Sequence, residues 1–185
     1  DFLATMAGVS GTHDSRRRHR FIVALVVVLA TLFPTASVAS AGGPRVGRTL
    51  ATISIPAIDM NVSLVYGITD DALSKGLGLW PGTALPGKPG NAVIAGHRTT
   101  HGAPMRDIDR LQVGDRIFVT SVGATATVYE YRITKGQIVK PDAMWITRKT
   151  RQPTLTIFAC HPPHSIAYRF VVFAKLVSSR TLGLE

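Results

Sequence analysis

A chain of 185 residues with 17 glycines and 11 prolines has room for one domain and a tail, and its single cysteine excludes an internal disulfide. Of the net charge of +10, the first 20 residues carry +2 (four Arg, two Asp), leaving +8 for the remainder. Those later basic residues are scattered, aromatics are few, and no zinc-finger, helix-turn-helix or RNA-binding signature is present, which excludes nucleic acid as the partner; the charge fits a solvated basic surface or attraction to anionic wall polymers and lipid phosphates equally well.

In chain order, residues 1–20 form a basic tail containing Arg16, Arg17, Arg18 and Arg20. The stretch from Phe21 to Pro44 follows, 24 residues without a charge. As a signal peptide it would use the arginines as its basic region, Phe21 to Phe33 as the apolar core and Ala39-Ser40-Ala41 as a cleavage site. As an uncleaved anchor it would use Phe21 to about Ala41, near the roughly 20 residues that span a bilayer. In either case basic residues stay on the cytoplasmic side, so everything beyond about Ala41 is expected outside. A free cysteine in that oxidising exterior is unusual unless its thiol is needed.

Residues 43–49 read as a linker, and residues 50–180 as the folded domain. Leu50–Ile55 and Val62–Tyr66 alternate as strands around Pro56-Ala57-Ile58-Asp59. Asp70 to Lys75 is a short helix with Thr69 or Asp70 as cap. A loop dense in glycine and proline, Pro81–Gly90, then feeds the apolar run Asn91–Ala95. Met105–Leu111 predicts a helical turn, and Ile117–Val122 with Thr127–Ile138 a hairpin around Gly123. The connection Val139–Gln152 precedes two last strands, Thr154–Cys160 and Tyr168–Val177. Roughly eight short strands with little helix predict an all-β barrel or sandwich.

The chemistry gathers at strand ends. Cys160 closes the run Thr154–Cys160 and is followed by His161-Pro162-Pro163, which stops the strand. His97 ends the other apolar run, after Gly96 and before the polar Arg98-Thr99-Thr100-His101. A thiol and an imidazole so presented are the parts of a cysteine transferase. The bland alternatives are a buried filler cysteine and a satisfied core histidine; His101, four residues on, competes with His97 for the acid/base role. Arg169 lies in the hydrophobic run Tyr168–Phe173, where an unpaired charge is costly, and a guanidinium there could bind substrate carbonyls and a tetrahedral oxyanion. Cys160 and His164 are also zinc-ligand types. Without a second cysteine, and with two prolines between them, no metal site is expected, and His161 and His164 read as loop residues at a cleft rim.

Thr156-Ile157-Phe158-Ala159-Cys160, with Arg169 in the next strand, resembles the Thr-Leu-x-Thr-Cys strand and downstream arginine of the sortases. Ala95-Gly96-His97-Arg98-Thr99-Thr100-His101-Gly102-Ala103-Pro104 is similar to the histidine segment of their class E, the actinobacterial housekeeping group. The resemblance runs from about Ile55 to Val177. Ile157 stands where the pattern has Leu, and Ala159 where it has Thr. It implies a closed eight-stranded barrel with one or two short helices, and a retained N-terminal anchor placing the catalytic domain outside a single-pass membrane protein. It implies Cys160, His97 and Arg169 as catalytic residues, with His101, Thr99 and Ala159 on the substrate side. The implied reaction cleaves a C-terminal Leu-Pro-x-Thr-Gly or Leu-Ala-x-Thr-Gly sorting signal of a secreted protein between Thr and Gly. A thioester on Cys160 then passes to an amine of a peptidoglycan precursor, lipid II. No cofactor is implied, and calcium is not expected because Val139–Gln152 holds one acid, Asp142. Many class E members carry Tyr where this chain has His101, a position tied to Ala at the second place of the signal, so that preference is open here. Two rivals remain: a hydrolase of the same fold that releases its substrate to water, and a membrane-anchored barrel that binds wall polymer without catalysis.

Overall fold

The computed structural model describes residues 43–123 and 125–183. Eight strands close into a barrel: β1 (Thr49–Ile55), β2 (Met60–Tyr66), β3 (Leu77–Leu79), β4 (Asn91–Ala95), β5 (Arg116–Ser121), β6 (Thr127–Val139), β7 (Thr154–His161) and β8 (Tyr168–Thr181). Around the barrel the order is β1-β2-β3-β4-β7-β8-β6-β5, and β5 pairs back on to β1. The all-β closed barrel expected from the resemblance is therefore what the chain forms. The predicted tail (1–20) and the predicted anchor or signal segment (21–42) lie outside the described residues. Among the described residues no helix is long and apolar enough to cross a membrane.

Alternation of side chains builds the core. Ala51, Ile53 and Ile55 of β1 and Leu155, Ile157 and Ala159 of β7 point inward and pack in one cluster with Leu64, Ile94, Ile117 and Tyr131. The opposite face of β7 is also covered, for Phe158 packs with Val139, Ile146 and Val171 in a second cluster outside the barrel. Double coverage explains why β4 and β7, which pair in parallel, read as nearly unbroken apolar runs.

The connection from β6 to β7 supplies that cover. Its 3-10 turn Met144–Thr147 is pinned by Asn91, whose amide donates to Ile146 O at 2.9 Å while its carbonyl oxygen accepts from Thr156 Oγ1 at 2.8 Å. Asn91 is 6 % exposed, so these bonds satisfy a buried amide. Burial raises the Tyr131 phenol above 10.0, and its hydroxyl accepts the Gly87 N–H at 2.7 Å. A Cβ at Gly87, where φ is +81°, would lie 2.2 Å from the Tyr129 ring, so only glycine lets this loop close on the barrel.

Three details differ from the sequence reading. The helix is one turn, α1 (Asp70–Leu73), capped by Thr69 accepting from Ala72 N–H at 3.3 Å. The turn expected over Met105–Leu111 is a 3-10 turn at Ile108–Arg110. β3 was not anticipated; three residues are too few to show a period, yet they close the barrel by pairing parallel to β2 and antiparallel to β4.

Candidate active site

Register brings the catalytic candidates to one level. β4 and β7 run parallel with Ala95 opposite Phe158, and the Gly96 N–H donates to Phe158 O at 3.2 Å. Counting on along both chains sets His97 level with Cys160. On the other side of β7, antiparallel β8 places Arg169 directly opposite Cys160. Cross-strand partners project to the same face, and by alternation with Ala159 that face is the outside of the barrel. His97, Cys160 and Arg169 thus form one row at the ends of three adjacent strands, next to the apolar strip of Phe158 and Val171. The Trp80 ring stands 6.0 Å from Phe158.

Each member is held locally. Gly96 permits the close approach before His97, since a Cβ there would lie 2.5 Å from Leu77 Cδ2 and 2.8 Å from Met105 Cγ. The His97 carbonyl accepts from Met105 N–H at 3.0 Å. The His97 ring stacks on His101 with centroids 4.7 Å apart, and its Nε2 lies 3.5 Å from Asp70 Oδ1. Cys160 is a free, half-buried thiol. Arg169 is half-exposed, and its Nη1 donates to the carbonyls of Ile166 and Tyr168, both at 2.9 Å. Its other N–H groups make no hydrogen bond among the described residues.

Beside each of these three residues a neighbour turns inward, and together they form a brace about the buried Arg98. Arg98 follows His97, His161 follows Cys160 and Phe170 follows Arg169. Arg98 is 3 % exposed. Its Nη1 lies 2.6 Å from His161 Nδ1, its Nε donates to Arg106 O at 3.1 Å, and its Nη2 pairs with Asp109 at 2.5 Å. The guanidinium has only donors, so in this contact His161 Nδ1 is the acceptor. Its ring packs against Phe170 at 5.8 Å. Partial burial works to raise the Asp109 carboxyl, but the Arg98 hydrogen bond and charge outweigh it and hold the group below 3.8. The brace ties the strand end that carries the imidazole to the one that carries the thiol.

Comparison with known proteins decides the family: residues 53–177 match the sortase domain. The chain belongs to the sortase family. It is 30 % identical over 162 residues to Sortase SrtE1 of Streptomyces coelicolor, covering 76 % of this chain and 44 % of that protein. Among solved structures, Clostridium perfringens Sortase D5 transpeptidase superposes with a TM-score of 0.66 at 32 % identity, covering 73 % of this chain and 82 % of the other. Streptomyces coelicolor Sortase E1 with a tripeptide in its active site also gives 0.66, at 27 % identity and coverages of 73 % and 91 %. The chain thus spans less than half the length of the curated SrtE1.

In this sortase the residues expected on the substrate side divide. His101 stacks on His97 and is exposed; Thr99 is exposed and lines a 260 Å³ recess with Arg98, Ala103, Arg106, Pro163 and His164. Ala159 is not brought to the site, because it is 2 % exposed and its methyl packs inside the barrel. His161, expected at the cleft rim, is instead engaged by Arg98, whereas His164 is exposed. Sequence reasoning missed the roles of Arg98, Asp109 and Asp70. For Arg98 the signal was present: extending the β4 alternation by three residues sends it inward, where a charge demands a partner.

Proposed function

We propose that this sortase is an exported cysteine transpeptidase of the class E type. The observation that carries the reading is the single row of His97, Cys160 and Arg169 on the outer face of three adjacent strand ends. A sorting-signal peptide lies along the outer face with its scissile Thr carbonyl over Cys160. The Cys160 S–H bond breaks as its sulfur attacks that carbon, the proton passing to His97, and the oxyanion accepts from the free N–H groups of Arg169. As the tetrahedral species collapses, the C–N bond to Gly breaks and His97 delivers a proton to the departing amine. The thioester left on Cys160 is then attacked by the amine of a peptidoglycan precursor, from which His97 takes a proton. Collapse expels the Cys160 sulfur, which regains its proton from His97, and leaves the cargo amide-linked to the wall precursor.

In this account residues 21–42 anchor the enzyme to the membrane with the barrel, residues 50–180, on the outer side, and the arginines of the tail set that orientation. His101 and Thr99 meet the signal beside the imidazole, which is supported by the stacking of His101 on His97. The test is incubation of the purified chain with Leu-Pro-x-Thr-Gly and Leu-Ala-x-Thr-Gly peptides, with and without an added amine, followed by mass analysis. Amine-linked product that forms at the expense of the free acid supports transpeptidation. Free acid alone, whatever amine is supplied, identifies a hydrolase, and an intact peptide refutes both.

A further inference from the structure

Asp70, His97 and His101 come from three separate places, the start of α1, the end of β4 and the loop beyond it. Their ligand-type atoms nevertheless all lie within 4.8 Å of one another. His97 Nε2 is inaccessible to solvent and has no hydrogen-bond partner, although Asp70 Oδ1 stands 3.5 Å away. A desolvated nitrogen facing a carboxylate oxygen calls for a cation between them. A shared proton would draw the pair to about 2.8–2.9 Å. A metal with bonds near 2.0–2.1 Å holds neighbouring tetrahedral ligands about 3.4 Å apart, which is close to the spacing present.

We propose that Asp70, His97 and His101 bind a divalent transition metal, Zn²⁺ being the best fit, and that the bound ion withdraws His97 from acid/base duty. Two imidazoles and one carboxylate suit zinc and disfavour magnesium or calcium, which want oxygen ligands. His101 completes the set by turning out of its stack on His97; it is exposed, so little opposes the movement. The fourth position stays open to water. The site depends on His101, and so does not arise where tyrosine fills this place. The inhibitory consequence rests on the proposed function, whereas binding itself does not.

The experiment is calorimetric titration of ZnCl₂ and MgCl₂ into the full-length Cys160→Ala chain, which removes the thiol as a rival ligand, and into the same chain with Asp70→Asn or His101→Phe. One Zn²⁺ per chain is expected, with no magnesium heat, and each substitution weakens binding about tenfold or more. Co²⁺ in place of zinc should show the visible absorption of a four-coordinate site, lost in the His101→Phe form. Failure of Zn²⁺ to bind below millimolar concentration, or equal affinity in all three chains, overturns the site. Zinc should also inhibit peptide turnover by the Cys160-bearing chain, and less so with His101→Phe. A chain that binds zinc in this way but turns over no peptide keeps the site and refutes the transpeptidase reading. One that turns over peptide but binds no zinc refutes the site alone.

Discussion

Replacing Arg98 tests whether the buried brace holds the catalytic row in register. The side chain is 2 % exposed and engages three acceptors, Asp109, Arg106 O and His161 Nδ1. Removing one partner of a buried pair costs about 3–5 kcal/mol. Asp109 keeps 34 % of its side-chain surface in water and can rehydrate, so Arg98→Met belongs near the lower figure, about 3 kcal/mol. In a barrel of this size that lowers Tm by roughly 10 °C. Arg98→Lys keeps the charge but cannot reach all three acceptors, and should lose about half as much. The catalytic consequence is separable from the loss of stability. A displacement of the imidazole from the thiol by about 1 Å costs on the order of 100-fold in rate, so kcat should fall in both variants well below their Tm while KM changes little. Thermal unfolding and steady-state peptide kinetics at 20 °C below each variant's own Tm, roughly outside the unfolding transition, provide the readouts. An Arg98→Met protein with unchanged Tm, or a destabilised one with unchanged kcat, would refute the brace as a positioning device.

Asp109 has a folded pKa below 3.8, so its contribution to stability is complete above the unfolded value and is lost as pH falls through the folded one; Asp109→Asn should flatten the acid side of the Tm profile below about pH 5. Arg169→Lys should reduce acylation far more than peptide affinity, because the planar fork proposed to hold the oxyanion is lost; near-normal single-turnover acylation would reduce Arg169 to an electrostatic neighbour. His101→Tyr should shift selectivity toward Leu-Ala-x-Thr-Gly over Leu-Pro-x-Thr-Gly by roughly 1–3 kcal/mol at most, read as the ratio of kcat/KM values, and an unchanged ratio would mean the loop does not read the signal.

How much was legible in the sequence depended on the range of the pattern concerned. Apolar runs announced the strands around the site, and Pro162-Pro163 marked where β7 stops. β3 escaped because Leu77-Gly78-Leu79 is too short to carry a period, and its place is set by β2 and β4. The strand-end positions of Cys160 and His97 were readable locally, but their common level depends on a parallel pairing across some 60 residues, which no local signal encodes. The resemblance puts Ala159 on the substrate side, whereas period-two geometry turns its methyl into the core. Arg98 looked like part of a polar loop, and its burial became apparent once Asp109 and His161 were found beside it. Thr69 and Asp70 both read as candidates for the helix cap; Thr69 takes that role and leaves Asp70 facing His97.

The central claim is that Cys160 carries the acyl group. Intact-mass analysis of the purified chain, quenched in acid within the first turnover with a Leu-Pro-x-Thr-Gly peptide, tests it most directly, followed by digestion to locate the adduct. The expected result is a mass increase equal to the peptide up to its threonine less one water, mapped to Cys160, discharged by hydroxylamine and absent from a folded Cys160→Ala variant. An adduct on any other residue, or continued peptide cleavage by the alanine variant, would contradict it.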